Sequence, residues 1–258
     1  MGDAHQRDRS SWPFGAELIR GGPADAWAES VRPLISAVIF DLDGVLVDSE
    51  IWWDEIRSDF AARQGRPWTA DDQAAVMGAN SRAWARIMRE RLALALPESE
   101  IERTIVDGVV DRYRRDGAPL IDGAVGAVRR IAADRPVAVA SSAHRDVIAA
   151  ALGATGLADV FRVVVSSDEV AHGKPAPDVY LETARRLDVD RHVCLVVEDS
   201  LNGVRAAKAA GMTVVLVPNQ SVPPAAGATE LADLVLARLA DLDPSAVPPS
   251  IRPGATEA

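Results

Sequence analysis

Two aspartates, Asp41 and Asp43, end an apolar run in the segment VIFDLDGVLVDSE, residues 38 to 50. The run is rich in β-branched residues and reads as a strand. Side chains two apart in a strand share a side, so both carboxylates are expected to project from its carboxyl end, where open α/β sheets bind ligands. Gly44 then lets the chain turn sharply. Two carboxylates this close repel each other, and an apolar run ending in them needs a cation or a proton to offset the charge. Asp-x-Asp-Gly also opens calcium loops, but Val45 and Val47 occupy the alternate positions that would supply further oxygens.

Other residues of the same chemical kind close later segments. Ser141 ends VAVAS, and the acidic pair Glu198-Asp199 ends VCLVVED. Lys174 lies in HGKPAPDVY, where His-Gly before it and Pro-Ala-Pro after it would fix a loop rigidly ahead of a helix. Ser142 reads as a cap for the helix that begins near His144.

The elements that must hold these groups follow from periodicity. AVIFDL (37 to 42), VAVAS (137 to 141), RVVVS (162 to 166), VCLVVED (193 to 199) and TVVLV (213 to 217) are short, continuous and apolar, as strands buried on both faces should be. ADLVL (232 to 236) is a further strand at an edge. Helical stripes lie between them: Val125, Val128 and Ile131; then Val147, Ile148, Ala151 and Leu152, ending at Gly153; then Val179, Leu181, Ala184 and Leu187 after Pro175 and Pro177. Strand alternating with helix implies an α/β fold, a Rossmann-like doubly wound parallel sheet.

One interval interrupts the alternation. From about Ser49 to Asp116 only helical patterns occur, with Ile101, Ile105, Val109 and Tyr113 on one face, so an α-helical cap is inserted directly after the first strand. It contains Trp52, Trp53, Trp68 and Trp84, which read as filling of a small helical core, with Trp52 or Trp53 close enough to the first strand to wall a substrate. The expected organisation is an N-terminal extension over 1–34, an α/β core over 35–48 and 119–240, the cap over 49–118, and a C-terminal tail over 241–258. The Pro-rich stretch after Asn219 reads as peripheral.

The four chemical segments, in this order, resemble the four signature motifs of the haloacid dehalogenase superfamily, in its phosphatase and β-phosphoglucomutase-like branch. The likeness covers about Ala37 to Pro218, and the helical interval matches that family's cap. The resemblance implies a Mg²⁺-dependent hydrolase in which Asp41 is the nucleophile and Asp43 the general acid and then the base. It further implies that Ser141 and Lys174 bind the transferred phosphoryl group, and that Asp199 holds the metal with Asp41 and the backbone carbonyl of Asp43. Glu198 would either touch the metal or position Lys174. The cap segment VMGANSRAW, residues 76 to 84, resembles the family's substrate-specificity loop, which makes Ser81 and Arg82 the expected substrate contacts.

Asp43 separates phosphotransfer from dehalogenation, because cleaving a carbon–halogen bond needs no protonated leaving oxygen. Hydrolysis and mutase chemistry share all four motifs. Met77 in place of a basic residue, and Trp53 where mutases of this branch place a histidine, favour a phosphatase acting on a sugar or polyol phosphate over a phosphomutase. A non-catalytic phosphometabolite binder is opposed by the intact Asp41, Asp43, Lys174 and Asp199 set. A receiver-type signalling domain is opposed by the cap and by an aspartate two residues after the nucleophile.

Composition bounds the partners. The 258 residues carry a net charge of −10, which opposes a nucleic-acid binder, since that work needs a basic face. No run reaches membrane-spanning length, and the single cysteine, Cys194, lies in the apolar run HVCLVV, where a buried inert thiol is expected. A cytoplasmic enzyme with a small phosphorylated metabolite as its partner, plausibly a monomer, is the resulting expectation.

Overall fold

The computed structural model describes residues 34–249; the expected N-terminal extension up to residue 33 and the end of the tail fall outside them. Six parallel strands form one sheet in the order β3-β2-β1-β4-β5-β6: β1 (Ala37–Phe40), β2 (Val137–Ser141), β3 (Val163–Ser166), β4 (Cys194–Glu198), β5 (Thr213–Leu216) and β6 (Leu234–Val235). β1 ends two residues earlier than the apolar run suggests. Its last residue, Phe40, is followed by a loop whose Leu42, Val45, Leu46 and Val47 are all buried, so the apolar pattern outlasts the strand.

The pleat divides the sheet between two apolar layers. Val38, Phe40, Val139, Leu195 and Val197 pack on one side with α5 (Ala124–Ala132) and α6 (Arg145–Thr155). Ile39, Ala138, Val196 and Val214 pack on the other with α7 (Asp178–Leu187) and α8 (Leu201–Ala209). Alternate residues of each strand thus bury opposite faces, which is why these strands are apolar but for Ser141, Ser166, Glu198 and Thr213 at their ends. Helices on both faces of a parallel sheet make this the doubly wound α/β fold, and its topological switch lies where β2 and β4 flank β1.

Between β1 and α5 the chain forms α1 (Glu50–Arg63), α2 (Ala70–Val76), α3 (Ser81–Arg91) and α4 (Glu98–Asp116). Phe60, Trp84, Met88, Ile101, Ile105, Val109 and Tyr113 fill the space among them. Thr69 and Asp72 cap α2 reciprocally, and the Asn80 side chain accepts from the Ala83 N–H to start α3. The outgoing and returning connections run together: the Asp48 N–H donates to the Pro119 carbonyl at 2.8 Å and the Ile121 N–H to that of Leu46 at 3.1 Å. The segment from 241 to 249 is also tied down. Leu242 and Val247 are buried, and Arg130 and Arg135 reach the Leu242 carbonyl and Ser245.

Candidate active site

A cavity of about 300 Å³ lies over the carboxyl ends of β1, β2 and β4. Asp41, Asp43, Ser141, Lys174, Glu198 and Asp199 line it together, although they are up to 158 residues apart in the chain. The Asp41 N–H donates to the Val197 carbonyl, continuing the β1–β4 pairing by one bond and fixing the aspartate at the sheet edge. Asp43 shares this direction through the loop and not through strand alternation: Gly44 N–H donates to the Val47 carbonyl at 2.7 Å, folding the loop back, and Ser49 Oγ donates to Asp43 Oδ1.

Lys174 is buried at the centre. Its Nζ donates to Asp41 Oδ1 at 2.6 Å, to Glu198 Oε1 at 2.7 Å and to the Ala140 carbonyl at 3.2 Å, and lies 4.8 Å from the Tyr180 ring centroid. Burial pulls the lysine's pKa down, but Asp41 and Glu198 outweigh it and hold it well above the usual value. Glu198 accepts five bonds: from Lys174 and the Tyr180 hydroxyl on Oε1, and from the Asp199 N–H and the Ser200 N–H and Oγ on Oε2. With both oxygens occupied, Glu198 has the contacts of a lysine-positioning group. Gly203 makes room for it, since a Cβ there would stand 1.7 Å from Glu198 Oε1.

One carboxylate oxygen each from Asp41, Glu198 and Asp199 lies within 4.8 Å of the others, an acidic cluster able to hold a cation. Burial pushes the Asp41 carboxyl up to about 7 in spite of Lys174, and pushes Asp199 well above the usual carboxylate range, with Glu198 and Asp41 adding to the effect. Four carboxylates facing one ammonium therefore lack positive charge, and their hard oxygens suit a divalent ion such as Mg²⁺. Asp199 packs so closely on Gly44, which has φ +87°, that a Cβ would stand 2.0 Å from its Oδ2. Asp43 is also raised by burial, against hydrogen bonds from Ser49 and Trp53. Ser141 Oγ accepts from the Ala143 N–H at 3.0 Å, which leaves its own proton free to be donated.

A family profile for haloacid dehalogenase-like hydrolases matches residues 35–211. The chain belongs to this family. Among relatives of the hydrolase, (DL)-glycerol-3-phosphatase 2 of Arabidopsis thaliana is 34% identical over 227 residues, covering 83% of this chain and 91% of that protein. The bifunctional riboflavin kinase/FMN phosphatase of the same plant is 32% identical over 217 residues, which span 83% of this chain but 56% of that longer protein. Among solved structures, CbbY of Rhodobacter sphaeroides in complex with phosphate aligns with a TM-score of 0.67 and 26% identity, covering 81% of this chain and 96% of that one.

The hydrolase departs from the sequence-based expectation on the cap side. Ser81 and Arg82 do not line the cavity. Ser81 is fully buried at the start of α3, its N–H on Asp168 Oδ1, and Arg82 is exposed near Glu102. The Asn80 cap fixes the helix phase, and one residue is about 100° of rotation, so Arg82 turns outward while Trp84 faces the cavity. Glu50, Trp53, Arg57, Met77 and Trp84 line this side instead. Arg57 was legible in principle, one turn after Trp53 on a helical stripe. His144, not Ser142, caps α6 by accepting the Asp146 N–H, and Ser142 joins the cavity lining. The Pro-rich stretch is not peripheral either: Asn219 and Ser221 donate to Asp48, and Val222 to Ala225 lie along the cavity. Nothing in its composition signals that placement.

Two readings agree with the packing. Trp52 stacks edge-on to Tyr113 and Trp68 donates to Asp54, both away from the cavity, whereas Trp53 and Trp84 serve as core and wall at once. Burial pushes the Cys194 thiol up to about 12, as an inert core cysteine requires. Among the described residues no helix is long and apolar enough to cross a membrane.

Proposed function

We propose that the protein is a Mg²⁺-dependent phosphatase that removes phosphate from a sugar or polyol monoester through an aspartyl phosphate on Asp41, acting in the cytoplasm. The observation that carries this reading is the 2.6 Å contact of Lys174 with Asp41 inside a cavity that Asp43, Ser141 and Asp199 also line. A carboxylate attacking a phosphate dianion meets strong repulsion, which the buried Lys174 ammonium, held in its charged form by Asp41 and Glu198, reduces before substrate arrives. Bound by Asp41, Asp199 and the backbone carbonyl of Asp43, Mg²⁺ would supply the remaining positive charge for the phosphoryl oxygens. Ser141 donates its free proton to the same oxygens.

Asp43 is suited to proton transfer because burial favours its neutral form. It gives its proton to the leaving oxygen and then takes one from the water that hydrolyses the aspartyl phosphate. Named phosphatases among the relatives support the hydrolase over the mutase, and so does the cavity lining, whose basic residues are Arg57 and Lys174, with Met77 before Gly78.

The test measures phosphate release from a panel of sugar and polyol phosphates with Mg²⁺ or with EDTA. Release that needs Mg²⁺ is expected; full activity in chelator, or none on any ester, overturns the reading. Incubation with β-glucose 1-phosphate and a trace of glucose 1,6-bisphosphate separates the mutase, which would yield glucose 6-phosphate with little free phosphate.

A further inference from the structure

Arg57 is a buried cation with few hydrogen-bond partners. It is 5% exposed, and its guanidinium carbon lies 5.0 Å from the Trp53 ring centroid and 5.5 Å from that of Trp84. Of its five N–H donors, one reaches Gln73 Oε1 at 3.3 Å, while Nε is buried without a partner. Among the described residues no carboxylate lies within ion-pair distance of it. A guanidinium in this state is costly unless a ligand completes it.

Glu50 lies two turns earlier on α1, lines the same cavity, and accepts no hydrogen bond among the described residues. The helical part of the lining therefore presents a donor and an acceptor, both open, on one helix face. An open donor alone would suit an anion. The open acceptor beside it changes the ligand, because a second carboxylate or phosphate would meet Glu50 and Asp43 as well as Arg57. A hydroxyl both accepts and donates, so it satisfies both groups.

We infer that Arg57 and Glu50 recognise the alcohol part of the substrate, binding hydroxyls of a sugar or polyol while Trp53 and Trp84 cover its C–H face. The assignment rests on the phosphatase reading and names the class of ester that site selects: one whose leaving group is hydroxylated and uncharged. A lost hydrogen bond to a charged group is worth about tenfold in affinity or more.

The test compares glycerol 3-phosphate, 2-phosphoglycolate and p-nitrophenyl phosphate on the wild type, Arg57→Gln and Glu50→Gln. In Arg57→Gln the ratio of kcat/KM for glycerol 3-phosphate to that for p-nitrophenyl phosphate should fall at least about tenfold, mostly through KM. Glu50→Gln should raise the phosphoglycolate-to-glycerol 3-phosphate ratio. A ratio unchanged within twofold in Arg57→Gln overturns the inference. So does a wild type that prefers phosphoglycolate and loses that preference in Arg57→Gln, which is the behaviour of an anion clamp. Should Arg57→Gln fail to fold by circular dichroism, Arg57→Lys, which keeps charge and stem but loses the planar fork, is measured in its place. Binding of glycerol 3-phosphate by calorimetry separates this inference from the phosphatase reading. If no ester releases phosphate, a Kd about tenfold weaker in the variant still supports the contact, and an unchanged Kd or no binding overturns it.

Discussion

On the sheet side of the cavity every strong charge but Asp199 is held: Lys174 touches Asp41, Glu198 and the Ala140 carbonyl, and Glu198 accepts four further bonds, from the Tyr180 hydroxyl, the Asp199 N–H and the Ser200 N–H and Oγ. On the helical side Arg57 hydrogen-bonds Gln73 alone and Glu50 accepts no hydrogen bond among the described residues. The two walls differ in what completes them. The sheet side is preorganised by the protein, as a site for charge development must be, because reorganising dipoles during reaction would cost part of the stabilisation. The helical side leaves the hydrogen bonds of Arg57 and Glu50 for the ligand, so these two groups can discriminate among substrates without being needed for the chemical step itself.

Variants of the two walls should therefore separate chemistry from selection. The largest effect is expected for Asp41→Asn, which keeps the shape of the preorganised wall but removes the nucleophile. Phosphate release should fall on the order of 10⁴-fold or more, with an unchanged circular dichroism spectrum. Wild-type-like turnover would take the nucleophile role from Asp41. Asp43→Asn follows, with a loss of roughly 10²- to 10⁴-fold. With p-nitrophenyl phosphate, whose leaving group needs little protonation, phosphorylated enzyme should accumulate and be trapped on acid quench; an unchanged steady-state rate would contradict the proton-transfer role.

Gly44→Ala tests the close packing that sets Asp199. A Cβ would overlap its carboxylate, and the positive φ adds backbone strain. The Mg²⁺ concentration for half-maximal activity should rise about 10- to 100-fold, and an unmoved titration would show that Asp199 needs no such support. The smallest effect is expected for Trp68→Phe, which removes an exposed hydrogen bond to Asp54 outside the cavity. Stability should change by about 1 kcal/mol or less in a urea melt, with kcat/KM unaltered; a changed specificity would mean that the helical wall responds as one body to distant packing.

Most of the sheet was legible because a strand buried on both faces is apolar along most of its length, and the runs VAVAS, RVVVS, VCLVVED and TVVLV are, with their polar residues at the ends. The ends were less so: AVIFDL reads as one strand, yet pairing stops at Phe40 and Leu42 is buried by the loop. Hydrophobicity records burial, not hydrogen bonding. The edge strand was foreseen at ADLVL and is only two residues long.

By itself the sequence determined Asp41, Ser141, Glu198 and Asp199 of the sheet wall, since each closes or directly follows a strand, and in a parallel sheet strand ends converge by topology alone; Asp43 and Lys174 reach them from the loops after Phe40 and ahead of α7. Tertiary structure decided the other wall. Which residue of a helix faces a cavity depends on helix phase and on docking, and a shift of one residue, about 100°, exchanges Arg82 for its neighbours. The approach of Val222 to Ala225 depends on Asn219 and Ser221 meeting Asp48, 171 residues from Asn219. No local pattern encodes a contact of that span, because its stabilisation exists only once the sheet has brought the two segments together.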